Sequence, residues 1–178
     1  MKDHRASAAD RRAHAVEVGL SAFADHGVTT TAVQQVATQM GVSQPYVFRL
    51  FGSKKAFFLA CIDELPPRIT EMLLRAGTGA AEPLEEMGAG FRTLVADGVI
   101  SGFWLQACAA ARADEEIASK CRDVISRALQ TVTDSTGVDS DVLAGFFGRG
   151  ALVMMLQTLG VDLREGSHAA VASLVEKR

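Results

Sequence analysis

An all-α fold of about nine helices is what this sequence predicts: three short helices at the N-terminal end, then a larger helical body. Apolar residues recur at three- and four-residue steps along most of the chain, and no sustained period-two alternation appears, so helices and no sheet are expected. Glycine and proline interrupt these runs at Gly27, Gly41, Gly52, Pro66-Pro67, Gly77 to Pro83, Gly98 to Gly102, Gly137, Gly160 and Gly166, dividing them into helix-length pieces.

Residues 1–10 are polar and read as a flexible arm. Ala13, Val16, Leu20 and Phe23 form one apolar stripe on a first helix, which Gly27 can end. Residues 11–52 make a three-helix head, and 53–178 make the body, with the helix at 53–65 connecting the two. Beyond that helix the spacing predicts others near Arg68 to Ala76, Leu84 to Asp97, Phe103 to Ala113, Asp114 to Thr133, Asp139 to Leu159, and from Ser167. Pro66-Pro67 should stop a helix, because proline has no amide donor and restricts the residue before it.

With 48% apolar residues the chain can bury a real core. The net charge of −3 hides a split: residues 1–60 carry +3, and the rest carries −6. Such asymmetry suits an N-terminal end that faces a polyanion. Cys61, Cys108 and Cys121 are far apart, so neither a disulfide framework nor a metal site is indicated. The opening MKDHRASAADRR lacks the apolar stretch of an export signal, so a cytoplasmic protein is expected. Val142 to Val161 is apolar and long enough to span a bilayer, but Arg149 near its middle would cost about 2.5 to 3.5 kcal/mol there. A buried interface helix is expected instead, with no membrane contact.

Residues 33–52 carry the pattern of two short helices crossing steeply. Ala37 is small where they touch, Gly41 lies in the turn, and Val36, Met40, Val42, Val47 and Leu50 point inward. Thr31 can cap the first of the two, with Gln34 three residues on, and Ser43 can cap the second, whose first turn holds Pro45. The second helix then turns Gln44, Pro45, Tyr46, Phe48 and Arg49 outward. This is the face a DNA major groove would meet, and Gln44 and Arg49 can donate to base edges or phosphates. Ser53 can cap the next helix, whose first turn bears Lys54 and Lys55, where cations oppose the helix dipole. Their placement suits a grip on phosphate.

These residues resemble the N-terminal domain of the TetR family of regulators, from about Arg11 to Cys61 and most closely along Gly27 to Lys54. The resemblance implies a homodimer on a double-stranded DNA operator, with recognition helices in successive major grooves and a C-terminal domain holding a ligand and the dimer interface. It implies that Thr31, Gln44, Pro45, Tyr46, Phe48 and Lys54 lie at positions that commonly contact DNA. Phe48 replaces the family's usual tyrosine and loses a phosphate-binding hydroxyl. Lys55 replaces a frequent glutamate, and Phe57 stands where leucine is usual.

In the body, Met87, Phe91, Trp104, Cys108, Phe147 and Met154 are candidates to line a cavity for a small apolar or amphipathic ligand, with Trp104 and Gln106 as its polar handles. Asp139 to Leu159 is apolar around most of its circumference, and Gly145, Gly148 and Gly150 would let a twofold copy approach closely. No cofactor is implied. His4, His14, His26 and His168 are scattered, and no metalloprotease, nucleophile-elbow or phosphate-loop spacing occurs, so no catalytic residues are assigned. The remaining alternative is a helical adaptor or ligand-binding protein without DNA binding.

Overall fold

The computed structural model describes residues 7–163 and 166–176. They form ten helices: α1 (Ala8–His26), α2 (Thr30–Gln39), α3 (Gln44–Phe51), α4 (Lys54–Asp63), α5 (Leu65–Gly77), α6 (Pro83–Leu94), α7 (Val99–Ala111), α8 (Glu115–Thr136), α9 (Ser140–Thr158) and α10 (Ser167–Glu176). No strand occurs among the described residues.

The expected flexible arm lies outside the described residues as far as residue 6. From Ser7 the chain is ordered by a capping box. Ser7 Oγ accepts from the Asp10 amide at 3.0 Å, and Asp10 Oδ2 accepts from the Ser7 amide at 2.9 Å, so α1 begins at Ala8. Its buried stripe is Val16, Leu20 and Phe23 with Ala15, while Ala13 is exposed.

Two compact units result. The first joins the described residues up to Leu65 with Phe103–Arg122, and the second joins Pro66–Gly102 with Asp123 onwards. Aromatic rings hold the first together. Phe51 stacks on Phe57 at 4.0 Å, Phe57 and Phe58 meet the edges of Phe23 at 5.0 and 5.1 Å, and Phe58 reaches Phe103 at 5.0 Å. Phe57 is thus a packing residue, buried between α1 and α3. A Cβ on Gly19 would stand 2.7 Å from the Phe57 ring, so glycine is what lets α1 approach α4 closely.

In the second unit Met72, Leu73, Met87, Ala128 and Val132 form a core against which Phe91, Phe146 and Phe147 pack. Ser101 is fully buried and satisfied: its hydroxyl donates to Gln157 Oε1 at 2.7 Å, and Gln157 Nε2 donates to the Val95 carbonyl. Helix α9 packs against α6 and α10. It still leaves Val142, Met155 and Leu159 exposed, α10 leaves Val171, Leu174 and Val175 exposed, and Cβ atoms on Gly145 and Gly148 would meet open space. A single chain therefore does not bury α9 as its sequence demands. No single helix among the described residues is long and apolar enough to cross a membrane.

Candidate nucleic-acid interface

The turn between α2 and α3 is built from backbone bonds that need a glycine. The Val42 amide donates to the Ala37 carbonyl at 2.9 Å and the Gly41 amide to Thr38 at 3.1 Å, with Gly41 at φ +65°. This paired closure requires a left-handed residue at the second position after α2, where a side chain would be strained. Ala37, Val36 and Val47 are buried at the crossing, while Met40, Val42 and Leu50 are half-buried.

The caps differ partly from expectation. Thr29, not Thr31, caps α2, its hydroxyl accepting from the Ala32 amide at 3.3 Å. The turn after Gly27 decides the choice, because the Thr29 amide bonds back to the Gly27 carbonyl at 2.8 Å and leaves Thr29 extended. Thr31 sits exposed in the first turn of α2. Ser43 takes the capping position of α3 but makes no side-chain bond to its backbone, and its side chain is exposed.

Along α3, Pro45 and Arg49 are exposed, and Gln44, Tyr46 and Phe48 are half-buried. Gln44 Nε2 reaches the Thr30 carbonyl at 3.5 Å, tying the start of α3 to that of α2. Tyr46 lies between two cations: Arg11 Nη1 donates to its hydroxyl at 3.0 Å, and the Arg49 guanidinium stands 5.3 Å from its ring centre. Arg12 holds the other end of α3, donating to the Leu50 carbonyl at 2.6 Å and lying 4.3 Å above the Phe51 ring. A cation on the last carbonyls complements the helix dipole. From the sequence, Arg11 and Arg12 counted only as net charge; the structure makes them the clasps of the outward-facing helix.

Ser53 caps α4 as expected, accepting from the Ala56 amide at 3.0 Å, and Lys54 and Lys55 follow half-buried in its first turn. Lys55 also has partners within the protein. Its ammonium lies 2.7 Å from Asp114 Oδ2 and 2.8 Å from Glu116 Oε2, so its charge is already engaged within the protein. Those two carboxylates hold the Lys55 ammonium above its ordinary range, and bonding to Lys55 holds Asp114 below the usual carboxylate range.

Of the cavity candidates, the structure brings together Met87, Phe91 and Phe147, with Met87 fully buried. Met154 is half-buried on α9. Trp104 and Cys108 belong to the first unit, Trp104 half-buried and Cys108 exposed. Gln106 reaches α1: Nε2 donates to the Ala24 carbonyl at 3.4 Å, and its amide oxygen lies 3.0 Å from where a Gly27 Cβ would stand. Among the described residues no group of His, Cys, Asp and Glu could hold a metal ion.

Residues 15–61 match the family of bacterial regulatory proteins, tetR family. No curated protein matches the chain. Among solved structures, a TetR-like transcriptional regulator from Rhodococcus sp. RHA1 is 24% identical with a TM-score of 0.65, over 97% of this chain and 94% of its own. A protein of Pseudomonas aeruginosa PAO1 described as a transcriptional regulator is 20% identical at 0.63, over 98% and 94%. A protein of Mesorhizobium loti MAFF303099 assigned to the TetR family is 16% identical at 0.61, over 87% and 86%. At these identities the likeness is one of fold. The chain thus resembles the tetR family in sequence over residues 15–61 and shares the fold of these three proteins along most of its length.

Proposed function

We propose that the protein is a ligand-releasable repressor that binds a palindromic operator as a homodimer. The observation that carries this is α3 itself: a short helix clasped at both ends by Arg11 and Arg12, with Pro45 and Arg49 exposed and the half-buried side chains of Gln44, Tyr46 and Phe48 beside them. Gln44, Tyr46 and Arg49 face the bases or their phosphates, while Thr31, Ser43, Pro45 and Phe48 pack along the backbone, and Lys54 grips phosphate at the start of α4.

The exposed apolar residues of α9 and α10, with the open space at Gly145 and Gly148, support pairing with a second copy through these helices. Such pairing sets the two reading helices about 34 to 36 Å apart, one turn of DNA. A small apolar ligand taken up around Phe91, Phe147 and Met154 releases DNA by as much as it prefers the conformation with wrongly spaced heads. Selection of bound duplexes from a random pool tests the reading. Recovery of a twofold-symmetric sequence whose affinity falls steeply with salt is the expected result, and recovery of no sequence overturns it.

A further inference from the structure

We propose that Lys55 is a positioning residue for DNA binding, clamping α4 to the start of α8 through Asp114 and Glu116 in place of touching phosphate; this rests on the DNA-binding reading above. Lys54 and Lys55 are neighbours in sequence, but successive helical residues point about 100° apart, so the two can have separate tasks. The task of Lys55 is visible in the two carboxylates that hold it, at 2.7 and 2.8 Å.

Asp114 is itself the cap of α8. Its Oδ1 accepts from the Glu116 amide at 3.0 Å and the Ile117 amide at 3.3 Å, while Oδ2 takes Lys55. One carboxylate therefore starts α8 and holds the first turn of α4. At the far end of α4, Asp63 takes the ammonium of Lys120, one helical turn beyond Glu116 on α8. The two bridges have opposite polarity: α4 supplies the cation at its start and the anion at its end. Sliding α4 forward by one turn would bring Lys55 toward Lys120, and sliding it back would bring Asp63 toward Glu116, both like-charge encounters. The pattern fixes one register, as opposed charges do when they reject alternatives. Because α4 follows α3 after Gly52 and Ser53, and Phe57 of α4 stacks on Phe51 of α3, that register sets where α3 and Lys54 stand.

Single exposed ion pairs contribute little, so the effect on DNA affinity should be modest, about fivefold per head. The full chain is assayed against the duplex that wild-type protein selects from a random pool, over a range of salt. The variants are Lys55→Ala, Lys55→Arg, the pair Asp114→Asn with Glu116→Gln, and the combined triple. Asparagine keeps the cap of α8 while removing the charge, and helical signal and thermal midpoint confirm that each variant is folded at the assay temperature.

The clamp predicts that Lys55→Ala and the Asp114→Asn/Glu116→Gln pair both weaken binding about fivefold. The triple is no weaker than either, Lys55→Arg restores affinity, and the salt slope stays as in wild type. Weakening by the pair is opposite in sign to what removing two negative charges from a DNA-binding protein would otherwise do. Tighter binding by the pair, together with a salt slope lowered by about one contact in Lys55→Ala, would make Lys55 a phosphate contact and overturn the proposal. Additive losses in the triple, or wild-type affinity in Lys55→Ala, would also overturn it. Failure of the DNA-binding reading is distinguishable, since wild-type protein would then select no duplex at all.

Discussion

Arg11 on α1 donates from Nη1 to the hydroxyl oxygen of Tyr46 on α3 at 3.0 Å, in a part-buried setting. The bond leaves the Tyr46 hydroxyl proton available to an acceptor outside the protein. It also joins the first turns of two helices that are distant in sequence. A double-mutant cycle of Arg11→Ala and Tyr46→Phe, read by urea unfolding, should give a coupling of about 0.5 to 1.5 kcal/mol. Strictly additive losses would show that the two side chains act independently.

Lys54 and Gln44 should fail in different ways. Lys54→Ala is expected to weaken binding to all duplexes alike and to lower the salt slope by about one contact. Gln44→Ala, at the start of α3, the proposed reading helix, is expected to change which duplex is selected. Binding to selected and random DNA measured in parallel checks both, and equal losses on both from Gln44→Ala would remove it from the reading face.

Gly19 stands where α1 and α4 nearly touch. Alanine is the better helix former by about 1 kcal/mol. Its Cβ would nonetheless lie 2.7 and 2.9 Å from Phe57 ring atoms and 3.0 Å from Cys61 Sγ, all within a buried core. Overpacking of this kind costs about 1 to 3 kcal/mol, so Gly19→Ala should lower the urea midpoint. An unchanged or raised midpoint would mean the Phe57 ring can shift freely.

Cys121 has its thiol pushed up to about 11, first by burial and then by the neighbouring Cys108. Partial desolvation raises Cys108 as well, exposed though the residue is. The thiolate is the reacting form, so a raised value means less of it at neutral pH. Alkylation of the folded protein by iodoacetamide at pH 7.5 should therefore run well below the rate for a model thiol, and should accelerate as pH rises toward the shifted values. A fast phase at pH 7.5 would contradict this.

Local chemistry was legible in the sequence, and distant partnership was not. The α2–α3 turn could be read because Ala37, Gly41 and Val42 settle it within a few residues. Ser53 could be read as a cap for the same reason. Among Thr29, Thr30 and Thr31 any could cap, and only the backbone turn at Gly27 selects Thr29. Pro66-Pro67 suggested a stop, yet the break falls at Glu64 and both prolines lie in the first turn of α5, where their missing amides leave nothing unsatisfied. Gly102 suggested a break, but Asp97 accepts from the Val99 amide at 3.0 Å and starts α7 upstream of it. The internal partners of Lys55 and Gln106 could not be read, because Asp114 and Ala24, the groups they hold, are far off along the chain. The Ser7 to Asp10 spacing was a signal that could have placed the start of α1 correctly.

The first unit takes its walls from two separate stretches of chain: Phe103 completes the ring contacts begun at Phe51, and Gln106 closes the carbonyl end of α1. The unit that holds α3 is therefore discontinuous in the gene. A fragment excised after Leu65 would carry the whole of α3 yet lack part of its own scaffold, so recombination could not transplant it as a self-sufficient cassette.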